Sequence, residues 1–156
     1  MNHAIEFHGE GFLKQLEWHA DSPSALAGVA DVDAIAPLVV GALDIEAVSA
    51  TGEFPDATRP HDVICTVGLV VWAAGSPLAT PPRRHVATLR SCDAIDGVHV
   101  HACETEAEVL LATRDALIDE GVDVLVQFYG FAFDLPYLSQ RAEASGCDGF
   151  EYLGKM

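Results

Sequence analysis

The sequence predicts an α/β fold, a mixed β-sheet flanked by helices, and three observations lead there. Apolar runs of strand length recur from residue 37 onward, a capped helical segment interrupts them, and a further strand and helix follow in alternation. The 156 residues, half of them apolar, hold enough material for one buried core.

Residues 1–33 have mixed character. An apolar cluster at Phe12, Leu13, Leu16 and Trp18 precedes the turn-rich Asp21-Ser22-Pro23-Ser24, so this stretch reads as a leader or the tail of a preceding domain, with 34–156 as the folded unit. The continuous run Leu38-Val39-Val40-Gly41-Ala42-Leu43 suits a strand buried on both faces, with Asp44-Ile45-Glu46 at its end. Gly52 and Pro55 punctuate a loop before a second strand over Val63–Trp72. Pro77, Pro81 and Pro82 then break the chain, and His85–Leu89 and Val98–Ala102 read as two short strands. Thr105-Glu106-Ala107-Glu108 has the form of a capping box. It opens a helix with Ala107, Leu110, Leu111, Leu117 and Ile118 at helical spacing and Gly121 as its stop. A strand over Val122–Phe128 follows, and a second helix runs from Asp134 towards Gly146.

The formal net charge of −16 speaks against a broad cationic groove for nucleic acid, unless divalent cations bridge clustered carboxylates to phosphate. Cys65, Cys92, Cys103 and Cys147 are irregularly spaced without a Cys-x-x-Cys pair, which points to reduced thiols. No apolar stretch reaches membrane-spanning length and the first residues lack signal-peptide order, so the expected setting is intracellular.

Side chains two apart on a strand share a face, so Asp44 and Glu46 present paired carboxylates while Ile45 turns away. Asp134, just after another strand, can reach the same end of the sheet. Three converging acids repel one another unless a divalent metal joins them. The alternative for Asp134 is a helix N-cap. His99, His101 and Cys103 alternate as a zinc half-site would, but without an evident fourth ligand they read as packing. Trp18 and Trp72 read as core. Glu104, Glu106, Glu108, Asp115, Asp119 and Glu120 read as a solvated helix face, and Arg83-Arg84 as the one basic doublet.

Asp44-Ile45-Glu46, Gly52-Glu53-Phe54-Pro55 and Asp62-Val63-Ile64 together resemble the first exonuclease motif of family B DNA polymerases. Phe133-Asp134-Leu135-Pro136-Tyr137-Leu138, led by Asp123-Val124-Leu125-Val126 and followed by Arg141-Ala142, resembles the second motif of the same family. The resemblance covers about residues 31–154 and implies a ribonuclease H-like sheet carrying a partial 3′→5′ proofreading exonuclease domain over 34–156. It implies two Mg²⁺ or Mn²⁺ ions about 4 Å apart, with Asp44 bridging both, Glu46 binding one and orienting water, and Asp134 holding the second. The implied substrate is a single-stranded DNA 3′ end, with Phe133 and Tyr137 supporting a base. The remainder of a DNA polymerase is the implied partner, and a nucleus, viral replication site or cytoplasm the implied setting. Tyr129 stands where the motif has asparagine, and no third motif (Tyr-x-x-x-Asp) occurs before Met156, so the implied domain is incomplete at its C-terminus. An inactive module that binds single-stranded DNA or a protein is the alternative.

Overall fold

The computed structural model describes residues 21–25, 37–77 and 79–154; the cluster of Phe12, Leu13, Leu16 and Trp18 lies outside them. After a 3₁₀ turn at Pro23–Ala25, the chain forms β1 (Val39–Ala47), β2 (Ile64–Ala73), β3 (Arg83–Leu89), β4 (His99–Cys103), α1 (Glu106–Asp119), β5 (Val124–Val126) and α2 (Asp134–Ala144). The five strands make one mixed sheet in the order β4-β3-β2-β1-β5. β1, β2 and β3 are an antiparallel meander, β4 runs parallel to β3 and β5 parallel to β1. This is the α/β architecture, with a mixed sheet and helices, that the sequence predicts.

The core lies on one face of the sheet. Leu43 and Ile45 of β1, Val67, Leu69 and Val71 of β2, and Ala87 of β3 point the same way and are buried under Val109, Leu110, Ala116 and Leu117 of α1 and Leu138 and Ala142 of α2. Removing each of the Val, Leu and Ile side chains from water stabilises the fold by about 1.5–3 kcal/mol. The expectation that β1 is buried on both faces is corrected: Gly41, Leu43 and Ile45 are buried, but Asp44 and Glu46 on its other face are exposed. Trp72 lies on that second face opposite Val40 and is 38% exposed, so it is not a core residue. Period-2 alternation, not the apolar run, describes this strand.

Thr105 caps α1 as expected. Its hydroxyl accepts from the Glu108 N–H, and the Glu108 carboxylate accepts from the backbone of Glu104 and Thr105. β5 is shorter than the sequence suggests. Val122 is spent beneath Gly41, where an added Cβ would meet its methyls at 3.1 Å, and Asp123 hydrogen-bonds Val39 through both backbone and carboxylate. Beyond Val126 the chain turns outward, leaving Phe128 exposed.

The helix face read as solvated is corrected at Glu106. Its side chain is 8% exposed and its two oxygens accept from Arg141 Nε at 2.9 Å and Nη2 at 2.5 Å, while Oε1 also takes the N–H of Ile64 at 2.8 Å. Arg141 Nη1 donates to the carbonyls of Ala57 and Arg59, each at 3.0 Å. One guanidinium thus joins α2, α1, the start of β2 and the β1–β2 loop. Asp62, 1% exposed, fastens the same loop by accepting from the N–H groups of Ala50 and Asp56, which hold its carboxyl low although burial pushes it up.

Replacing Arg141 by methionine leaves Glu106 charged, buried and without its partner. Urea unfolding of Arg141→Met should show a loss of about 3–5 kcal/mol, whereas a change below about 1 kcal/mol would mean that this pair does not hold the helices and loop together.

Candidate active site

β1 carries Asp44 and Glu46 outward on its open face. Across the ladder they face Gly68 and Thr66 of β2, and above Gly68 there is open space, so nothing from β2 covers the Asp44 carboxylate. Asp134 arrives differently. It is the first residue of α2, 4% exposed, and its Oδ2 is buried without a hydrogen-bond partner. Burial pushes its carboxyl above the ordinary aspartate range, and the neighbouring charge of Asp44 pushes it further. Phe133, not Asp134, occupies the N-cap position, and it makes no side-chain cap.

The structure therefore brings Asp134 within electrostatic reach of Asp44. It does not gather Glu46 with them: among the described residues no group of three or more His, Cys, Asp or Glu side chains is arranged to hold a metal ion. The donor chemistry still suits a hard divalent cation, because two mutually repelling carboxylates, one with an orphaned buried oxygen, are relieved by positive charge between them. His99, His101 and Cys103 likewise form no metal group, and the Cys103 thiol donates to the His101 carbonyl.

Of the two aromatic residues expected to support a base, Phe133 is half-buried and Tyr137 is 4% exposed, its hydroxyl donating to the Asp62 carbonyl at 2.8 Å. Tyr137 is a structural strut with no free ring face. Phe133 sits between two rings, its centroid 5.2 Å from both Tyr137 and Phe54. Phe54, 75% exposed, is the ring at the surface of this stack, beside an open cavity of about 420 Å³ lined by Arg59, Pro136 and Gln140 among others. Sequence reasoning missed Phe54 as a contact residue. Its signal was the Gly-x-Phe-Pro loop, where an apolar ring stands in a segment otherwise built for turns. Phe128 and Phe131, each 93% exposed, add further uncovered rings in the turn before α2.

Residues 2–156 match the family model described as DNA polymerase family B, exonuclease domain. The chain belongs to that family. The exonuclease domain is 38% identical over 144 residues to the DNA polymerase delta catalytic subunit of Arabidopsis thaliana, covering 91% of this chain and 13% of that protein. It is 37% identical over 123 residues to the DNA polymerase delta catalytic subunit of Mesocricetus auratus, covering 78% and 11%. It is 35% identical over 99 residues to the DNA polymerase catalytic subunit of Equine herpesvirus 2, covering 64% and 10%. The chain thus spans roughly a tenth of the length of these relatives. The family is divalent-metal dependent. No helix among the described residues is long and apolar enough to cross a membrane.

A carboxyl whose value is raised on folding favours the native state when protonated, and that stability is lost as pH rises through its folded value. In EDTA, Asp134→Asn should therefore melt higher than the parent at neutral pH, with the gap closing towards pH 4; an equal or lower melt at pH 7 would contradict the burial argument. Tyr129 has φ 58°, the left-handed region that costs an ordinary L-residue roughly 1–2 kcal/mol and that asparagine tolerates. Tyr129→Asn should raise unfolding stability by up to about 1 kcal/mol, read by urea titration, and a loss would mean the tyrosine ring has a role in the fold.

Proposed function

We propose that this chain is the proofreading 3′→5′ exonuclease part of a family B DNA-directed DNA polymerase, acting on single-stranded DNA 3′ ends during replication. The observation that carries the reading is the pairing of Asp44 with the buried, partnerless Asp134 carboxylate, each lying in a segment that matches a family motif. Asp44, Glu46 and Asp134 are the residues that would hold two Mg²⁺ or Mn²⁺ ions. When bound, such ions supply positive charge that stabilises the leaving 3′ oxygen and makes water a stronger nucleophile.

The chain's own residues do the rest. Glu46, exposed and one residue pair further along the face, accepts a hydrogen bond from the attacking water and orients it. Phe54 gives a face on which the terminal base stacks, with Phe133 fixing that ring from behind, a contact indifferent to base identity. The half-buried Phe133 thus supports the base indirectly. The partner is the rest of the polymerase, and a nuclear or viral replication setting accords with the eukaryotic and viral relatives. Residues 34–156 would be the exonuclease part and 1–33 a leader or the tail of a preceding domain.

A second reading, an inactive module that binds single-stranded DNA or a protein, is favoured by the absence of a three-carboxylate group among the described residues and by Tyr129 in place of asparagine. A labelled single-stranded oligonucleotide incubated with Mn²⁺ separates the two. Trimming from the 3′ end that disappears in the Asp44→Ala, Glu46→Ala double variant is expected. Oligonucleotide binding without trimming, equal in parent and variant, would replace the first reading with the second.

A further inference from the structure

On the sheet face opposite Asp44 and Glu46, towards the β4 edge, three side chains form a line. Glu120, just past α1, accepts from His85 Nε2 at 2.8 Å through Oε1, and its second oxygen pairs with Arg83. The other ring nitrogen of His85, Nδ1, faces His101 Nε2 at 3.5 Å. The His85 and His101 ring planes lie within 14° of each other with centroids 5.8 Å apart. The facing nitrogens are closer than the centroids by about the width of one imidazole, so the rings lie end to end in one line. A tetrahedral ion would need its two nitrogens to approach at a bent angle, which this head-on arrangement does not offer.

We infer that Glu120, His85 and His101 form a one-proton bridge that latches β3 and β4 to the C-terminal end of α1, and that acid opens it. Proton counting gives the mechanism. One proton on His85 Nε2 serves Glu120, so in the neutral pair the second sits on His101 Nε2 and donates to His85 Nδ1. One more proton, on the outer nitrogen of His101, makes a single imidazolium and leaves every bond in place. A further proton has no site except the bridge, where it sets N–H against N–H and parts the rings.

The surroundings enforce the limit. His99 stacks on His85 with centroids 5.1 Å apart, adding a third imidazole, and Arg83 adds a fixed positive charge. Glu120 is the acid of the line, held below the ordinary glutamate range by His85 and Arg83 even though burial pushes it up. The elements packed over the rings present Val67 and Leu69 from β2 and Ala112, Thr113 and Ala116 from α1, none of which titrates. Burial, with His85 and His99, holds His101 below the ordinary histidine value, in accord with a pair that accepts one charge but resists two. A histidine depressed in this way contributes stability that is present above its unfolded value of about 6.5 and lost as pH falls below it.

The test is a ¹⁵N-histidine NMR titration of the full chain from pH 8 to 4.5, with amide exchange followed in parallel. One histidine of the pair should take its proton well below the other, and exchange in β3 and β4 should rise as the second proton binds. In His101→Gln, whose amide takes no proton but can donate N–H to neutral His85 Nδ1 and, turned over, accept from it once His85 is protonated, the rise should disappear and the acid loss of melting temperature should shrink. If His85 and His101 of the parent titrate together near the ordinary value with no change in exchange, the latch does not exist. The parent titration decides this even if the variant fails to fold.

Discussion

The buried pair of Glu106 and Arg141 is the constraint on which the rest of this fold depends. Neither charge has appreciable access to water, and between them they satisfy an N–H of β2, two carbonyls of the β1–β2 loop and each other. The mutual hydrogen bonds raise the Arg141 guanidinium further, so it is charged at every pH at which the protein folds. Desolvating two ions yields little net stability, but it makes any other arrangement of these elements worse, since a slipped helix would strand a bare charge. Because α2 is held in this register, its first residue, Asp134, is delivered into the electrostatic field of Asp44 on β1. Tyr137, one helical turn on, closes the same joint through the Asp62 carbonyl.

The ends of α1 use acid in the same manner. Glu106 opens the helix by holding a guanidinium, and Glu120, just beyond its last residue, holds Arg83 and His85. In a chain with a net charge of −16, Arg141, Arg83 and His85 thus fix one secondary structure element against another. Asp134 stands apart as a buried carboxylate whose Oδ2 has no such partner, and that contrast supports its proposed role as a metal ligand.

Much of this was legible in the sequence because it is local. The capping box at Thr105 depends on residues three apart, the strands on short β-rich runs, and the carboxylates on motif spacing. What the sequence concealed depends on residues distant along the chain. Nothing near Glu106 announces Arg141, 35 positions away, so an acidic helix face looked solvated when two of its members are clamps. The apolar run of β1 suggested burial on both faces, but helices cover only the Leu43 and Ile45 side, and Trp72 is left partly exposed on the other. Tyr137 lay inside the motif and looked like a contact residue, while its role is to brace the loop from which Phe54 projects.

In the proposed function, the acids of β1 and the first residue of α2 form one cation site. Diffraction from crystals soaked in Mn²⁺, recorded at its absorption edge, addresses this directly. An anomalous peak bonded to carboxylate oxygens of both Asp44 and Asp134 is expected. Manganese bound elsewhere, with no density between those two side chains, would contradict it.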